Sequence, residues 1–226
     1  MQSQESFEAY FAGAELTTDW TSRNYALWAD LLAPRRHEPL RLLEIGSWEG
    51  RSALFFLNYL PKASIVCIDT FAGSVEHRGW PLWRRWRQLN RIERRFDRNL
   101  APFASRTQKL KADSGAALAQ LGLAGRRFDF VYIDGSHLAI DVYRDAVLSW
   151  PLLRDGGIVI FDDYQRKLGP EQDRPAVGID AFLEAVKGEC AELFRSHQLA
   201  VRKRGAAGPS AASQDGPRWT TPASRQ

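Results

Sequence analysis

The chain has 226 residues, 44% of them hydrophobic, and a formal net charge of +4 at pH 7. That length supports one substantial core with attachments, and so small a positive excess does not by itself call for a nucleic-acid or membrane partner. The only cysteines, Cys67 in an apolar run and Cys190 at the end of a helical pattern, exclude a disulfide framework and a cysteine metal site.

Met1 to Ser6 lacks the basic start and apolar stretch of a secretory signal, and no apolar run approaches a membrane span, so a cytoplasmic protein with no membrane partner is expected. Residues 5–33 set Trp20, Tyr25, Leu27, Trp28, Leu31 and Leu32 at roughly helical spacing before Pro34. This predicts a helical lead-in over residues 1–39 that packs on the core. Leu40 to Ile45 then reads as a strand, Gly46 as the start of a loop, and Ser52 to Leu60 as a helix. Ile65 to Asp69 is a second buried strand. Between Ser74 and Phe103 lies an irregular insert rich in arginine and tryptophan: Arg78, Trp80, Trp83, Arg84, Arg85, Trp86, Arg87, Arg91, Arg94, Arg95 and Arg98.

Phe128 to Asp134 is a further strand, followed by a helical segment near Leu138 to Leu153 and, after Gly156 and Gly157, a strand from Ile158 into Asp162 and Asp163. A helix near Val177 to Lys187 and strands around Glu192 to Phe194 and Gln198 to Lys203 complete the pattern. Apolar strands alternating with helices predict an α/β fold: a Rossmann-like, doubly wound, mostly parallel sheet with helices on both faces and an antiparallel C-terminal strand. The domain so defined covers residues 40–204. Residues 205–226 turn to Ala, Gly, Ser and Pro and are expected to form a disordered tail.

Ligands of an open parallel sheet bind beyond the carboxyl ends of its strands. Here those ends carry Glu44, Asp69, Asp134, Asp162 and Asp163. Gly46 and Gly50 permit backbone torsions and a close approach that side chains would obstruct, and Asp69 is placed to accept bonds from both ribose hydroxyls of a nucleoside. A diphosphate site would want a third glycine and a loop without anions, which argues against a nicotinamide-dependent oxidoreductase. Glu44 and Glu49 flank Gly46 instead, and their charge suits the ammonium and sulfonium groups of S-adenosylmethionine. Asp134, Asp162 and Asp163 end two strands that the parallel reading makes neighbours, so three carboxylates converge and a hard cation such as Mg²⁺ would relieve their repulsion. His137, three residues beyond Asp134, is a candidate general base, with Asp134 itself or a lysine or arginine of the insert as competitors.

Leu43-Glu44-Ile45-Gly46-Ser47-Trp48-Glu49-Gly50-Arg51-Ser52, Ile68-Asp69-Thr70-Phe71, Ile133-Asp134-Gly135-Ser136-His137 and Phe161-Asp162-Asp163-Tyr164 together resemble class I S-adenosylmethionine-dependent methyltransferases. More narrowly, they resemble the branch containing macrocin-type sugar O-methyltransferases and related small O-methyltransferases, over about residues 40–190. The resemblance implies that Glu44, Gly46 and Gly50 line the methionine and ribose region, with Ser47, Ser52, Thr70 and Asp134 also on the cofactor. It further implies that Asp69 binds the ribose and that Asp113 and Ser114 sit near the adenine; Asp113 also reads as a helix N-cap before Ala116 to Leu121. Related metal-dependent enzymes use an acid triplet such as Asp134, Asp162 and Asp163 to hold two substrate oxygens. Ala139 departs from the family pattern, which often has an aromatic residue after the histidine.

The function implied is metal-assisted O-methylation of a hydroxyl on a small molecule, a sugar or natural-product intermediate. Trp20, Tyr25, Trp80, Trp83 and Tyr164 are candidates for the acceptor wall. An RNA-directed methyltransferase using the basic insert and a non-catalytic cofactor-binding scaffold are the alternatives. The tryptophans of the insert also suit a subunit contact in a homo-oligomer.

Overall fold

Strands that read as unbroken apolar runs must bury both faces, and strands joined by helices are thereby forced into a parallel sheet. The computed structural model describes residues 7–73, 81, 89–167 and 169–205 and bears this out. Its elements are α1 (Tyr25–Leu32), β1 (Arg41–Ile45), α2 (Arg51–Tyr59), β2 (Ser64–Asp69), α3 (Ile92–Leu100), β3 (Thr107–Lys111) and α4 (Ser114–Leu123). There follow β4 (Phe128–Ile133), α5 (Ala139–Ser149), β5 (Leu153–Phe161), α6 (Pro175–Ala185), β6 (Cys190–Arg195) and β7 (Leu199–Lys203). The sheet runs β3-β2-β1-β4-β5-β7-β6. Strands β1 to β5 pair in parallel, and the β6–β7 hairpin adds to β5 antiparallel.

Alternation along each strand divides the core in two. Leu42, Phe130, Tyr132 and Ile160 face the aromatic side chains of Trp28, Phe55 and Phe56 from α1 and α2. Leu43, Ile45, Val131, Ile133 and Phe161 face α4, α5 and α6. Tyr25, a candidate for the acceptor wall, stacks between Phe11 and Phe55 instead, with ring centroids 5.1 and 4.7 Å away, and is 5% exposed. It belongs to the core because the helical period turns it inward beside Trp28.

Three expectations change. Thr107–Lys111 is a strand, absent from the sequence reading because its side chains alternate only weakly in burial along the sheet edge. The stretch expected to be irregular through Phe103 becomes helical at Ile92, where Ile92, Phe96 and Leu100 bury one stripe. Cys190 opens a strand rather than ending a helix. The insert residues Arg78, Trp80, Trp83, Arg84, Arg85, Trp86 and Arg87, and all but Gly205 of the tail, lie outside the described residues. Among the described residues, no helix is long and apolar enough to cross a membrane.

Register, more than proximity in sequence, builds the site. Ile45 pairs with Ile68 and with Ile133, and Ile133 pairs with Phe161. The next residue of each strand therefore falls in one row across the carboxyl edge: Asp69, Gly46, Asp134, Asp162. The row crosses the boundary between β1 and β4, where the strand order reverses and an open sheet forms its crevice.

Candidate functional site

At the end of β1 the chain turns sharply, with Gly46 at φ +88°, and the Gly46 amide donates to Ile68 O at 2.9 Å. A Cβ on Gly46 would lie 2.0 Å from the Asp134 carbonyl oxygen. The glycine is required first by the neighbouring strand end, not by a ligand. Gly50, at φ +82°, leads into α2, and a Cβ there would meet Leu100 Cδ2 at 2.6 Å. It lets α3 close on α2. Among the described residues, three non-glycine positions have left-handed torsions, Trp48, Phe71 and Asp163. Each stands in a loop leaving the same edge, after β1, β2 and β5, where backbone strain is held by the surrounding packing.

The acids of the loop are committed inside the protein. Glu44 is fully buried, burial raises its carboxyl above the usual range, and the Ser52 hydroxyl donates to its Oε1. Glu49 accepts from the Thr17 amide and hydroxyl, both at 2.6 Å, and pairs with Arg95 at 2.8 Å. Its charge fastens the lead-in and α3 to the loop. Asp69 accepts from the Trp48 amide at 2.8 Å and the Phe71 amide at 2.6 Å, and burial holds its carboxyl above the usual range despite those bonds. Thr70 is exposed, and its hydroxyl accepts from the Ala72 amide at 3.3 Å.

Glu44 Oε2 and Ser47 Oγ are buried without a hydrogen-bond partner. Buried polar atoms without a close partner cost free energy, so these two have hydrogen-bonding capacity to offer a polar ligand. A cleft of about 310 Å³, counting its open mouth, lies alongside, lined by Ser47, Trp48, Glu49, Ser52 and Asp134 and by Thr18, Trp20, Thr21 and Arg51. Trp20 was expected there; Thr18, Thr21 and Arg51 were not, and only the bonds that lay residues 15–21 over the loop place them there. The Thr18 carbonyl accepts from Arg51 Nε at 3.0 Å, and Trp20 packs 5.3 Å from Trp48.

Asp113 caps α4, its Oδ1 accepting from the Ala116 amide at 3.3 Å. Ser114 donates to Asp145 at 2.7 Å and accepts from Arg144 at 2.9 Å, so a polar knot ties the start of α4 to α5. Tyr164 points away from the cleft, donating to Asp180 at 2.9 Å beneath Arg195.

The acids of β4 and β5 do converge, but in a pattern that differs from the expected triplet. Asp134, His137 and Asp163 offer donor atoms that all lie within 4.8 Å of one another, and His137 Nε2 is 2.9 Å from Asp163 Oδ2. Asp162 turns inward and is 8% exposed. Its oxygens accept from the Asp163 amide at 2.8 Å, Gln198 at 3.1 Å and Tyr132 at 2.8 Å. The Tyr132 hydroxyl also stands 3.1 Å from Asp134. Burial, and then the charge of Asp162, push the Asp134 carboxyl well above its usual range. Burial also acts on Asp163, but the His137 bond and the charges of His137 and Arg166 bring its carboxyl below the usual range. Two carboxylates and an imidazole fit a divalent cation: the oxygens suit Mg²⁺ or Mn²⁺, and the imidazole admits softer ions.

A family model described as a methyltransferase domain matches residues 43–164, more than half of the chain and the whole span from the loop to the acids. No curated protein matches the sequence. Several solved structures share the fold. MycE methyltransferase from the mycinamycin biosynthetic pathway, in complex with Mg, SAH and mycinamycin VI, aligns at TM-score 0.61 and 16% identity over 91% of this chain and 56% of its own. The chain thus spans little more than half of MycE. The O-methyltransferase NovP aligns at TM-score 0.59 and 16% identity, covering 81% of this chain and 79% of its own. An O-methyltransferase from Bacillus cereus in complex with SAH aligns at TM-score 0.58 and 17% identity, covering 87% and 88%.

Proposed function

The chain belongs to the methyltransferase-domain family, and from that premise we propose that it transfers a methyl group from S-adenosylmethionine to a hydroxyl of a small molecule, with a divalent cation at the acid cluster. The observation that carries the reading is the placement of Asp134, His137 and Asp163 within 4.8 Å of one another beside the glycine loop. MycE was solved with Mg, SAH and a natural product, and NovP is an O-methyltransferase; both share this fold and support the reading.

In this reading S-adenosylmethionine supplies an activated methyl group, and the cation supplies polarisation and orientation of the acceptor hydroxyl. Asp69 accepts from the ribose hydroxyls with the lone pairs left by its two amide bonds. Ser47 and Ser52, on the loop and the first turn of α2, meet the methionine end, and Glu44 receives there the donor that its Oε2 lacks. Asp113 and Ser114 border the adenine. Asp134 and Asp163 hold the cation, and Asp162 stands behind them, held by Tyr132 and Gln198. His137 accepts the hydroxyl proton, and Asp163, 2.9 Å from Nε2, stabilises the imidazolium that results. The hydroxyl oxygen gains the methyl group as the carbon–sulfur bond breaks, so alignment is most of what the protein contributes.

Calorimetry with S-adenosylhomocysteine and with NAD, followed by methyl-transfer assays on hydroxylated sugars and natural products, tests this reading. Binding of S-adenosylhomocysteine but not NAD, and activity lost to chelator and restored by Mg²⁺, are expected. Tighter NAD binding overturns the cofactor, and full activity in excess chelator overturns the cation.

A further inference from the structure

Gln198 is fully buried, at the turn that joins β6 to β7. The antiparallel register that pairs Phe161 with Leu199 sets Gln198 opposite Asp162, so the amide extends the acid row by one strand. Its Nε2 donates to Asp162 Oδ1 at 3.1 Å, and its Oε1 accepts from Trp28 Nε1 at 2.9 Å. An indole N–H can only donate. Trp28 therefore leaves the amide one orientation, with its NH₂ turned toward Asp162. On the far side of Asp162 the Tyr132 hydroxyl bridges to Asp134, at 2.8 and 3.1 Å. A second bond, between His197 Nε2 and Asn24 Oδ1, ties the same turn to the lead-in.

Trp28, Gln198 and Tyr132 do not line the cleft. Trp28 is fully buried among Phe55, Phe56 and Tyr132, an environment in which apolar packing would serve stability at least as well as a polar chain. What the chain adds is direction. Groups standing behind a metal ligand fix its orientation, and their loss weakens cation binding by about 10–100-fold.

We propose that Gln198, keyed by Trp28, is a positioning residue that holds Asp162, and through the Tyr132 hydroxyl Asp134, in the orientation in which Asp134 and Asp163 accept a divalent cation. The inference rests on the cation reading of the site. It also gives the lead-in a role: α1 carries the donor that sets the amide.

Calorimetric titration of the full chain with Mg²⁺ and Mn²⁺ tests it, with S-adenosylhomocysteine titrated in parallel to verify the cofactor half. Gln198→Met, similar in shape but without the amide, lowers cation affinity about tenfold or more and leaves S-adenosylhomocysteine affinity unchanged. Trp28→Phe, which keeps the Gln198 bond to Asp162 but removes its orienting partner, lowers cation affinity about threefold. In an Asp162→Asn background, Gln198→Met adds no further loss, because its effect runs through Asp162. A wild-type chain that binds no cation overturns the cation reading and this inference with it. A wild type that binds, with Gln198→Met binding equally well or still losing affinity in the Asp162→Asn background, overturns this inference alone. If Gln198→Met does not fold, Trp28→Phe decides, and its unchanged cation affinity is the overturning result.

Discussion

At the β1–β2 end of the sheet edge, the protein supplies donors for its carboxylates: Asp69 takes two backbone amides, and Glu49 takes Thr17 and Arg95. At the β4–β5 end, Asp134 and Asp162 crowd around a single Tyr132 hydroxyl, with His137 and Asp163 alongside. A hydroxyl has one hydrogen to give, so it cannot serve both carboxylates at once. The first arrangement finishes a scaffold before any ligand arrives, save for the two unpartnered atoms on Glu44 and Ser47. On the proposed function, a cation completes the second. On that reading charge serves assembly on one side of the crevice and recognition on the other, although both sides are built from strand-terminal acids.

The largest expected effect breaks the link between the two halves. Gly46→Ala places a Cβ 2.0 Å from the Asp134 carbonyl in a left-handed conformation, so β1 and β4 cannot both keep their ends. A loss of more than about 3 kcal/mol is expected from strain and overlap together, seen as a large fall in Tm and loss of S-adenosylhomocysteine binding. A Tm within a degree or two of wild type would mean that the strand ends are not locked as described.

Asp134→Asn separates function from stability. Methyl transfer is expected to fall at least about 100-fold with the loss of the ligand carboxylate, as such site groups typically command. Because burial and Asp162 already raise the Asp134 carboxyl well above its usual range, removing the charge leaves Tm equal to or above that of wild type. A variant that is both active and less stable would reverse the distinction between the two halves.

Asp145 sharpens the same point under the β4 turn, where burial pushes its carboxyl from 3.8 up to about 6 against the opposing Ser114 bond and Arg144 charge. A carboxyl raised on folding stabilises the fold fully only below its unfolded pKa. Stability is therefore lost as pH rises through the window from about 4 to about 6, by roughly 2–3 kcal/mol at 1.4 kcal/mol per unit. Denaturant titrations across that window should show the decline, and Asp145→Asn should flatten it. An equal slope in the variant assigns the titration to other groups, Glu44 and Asp69 being raised in the same direction.

The smallest effect expected is that of Glu49→Gln. The amide keeps an acceptor for Thr17 but removes the charge that pairs with Arg95, which is 11% exposed. A cost of about 1–2 kcal/mol is expected, below that of a fully buried pair, with faster hydrogen exchange over residues 15–21. If instead S-adenosylhomocysteine affinity collapses while exchange over residues 15–21 stays slow, Glu49 faces the ligand after all.

Strand ends were legible because a buried run that stops at an acid or a glycine announces both its period and its edge; β1, β2 and β4 fall within a residue of expectation, whereas β5 begins at Leu153, five residues before the expected Ile158. The signal for α3 was present in Ile92, Phe96 and Leu100 at helical spacing, masked by the arginines between them. For β3 there was little signal, since Thr107–Lys111 is held as a strand chiefly by its pairing with β2. The purpose of the glycines and glutamates of the loop was also out of reach. A sequence shows that a side chain is missing or charged, but not what stands opposite it.

The sequence by itself determined the parallel α/β core, the acids that end its strands and the family to which the chain belongs, because those follow from local period and composition. Tertiary structure decided which acids meet. Gln198 lies 36 residues from Asp162 and 170 from Trp28, yet the antiparallel return of β7 sets all three in one hydrogen-bonded line. Pairing register fixes neighbours across a sheet irrespective of their distance along the chain, and that is the physical reason the cluster and its brace appear only in the fold.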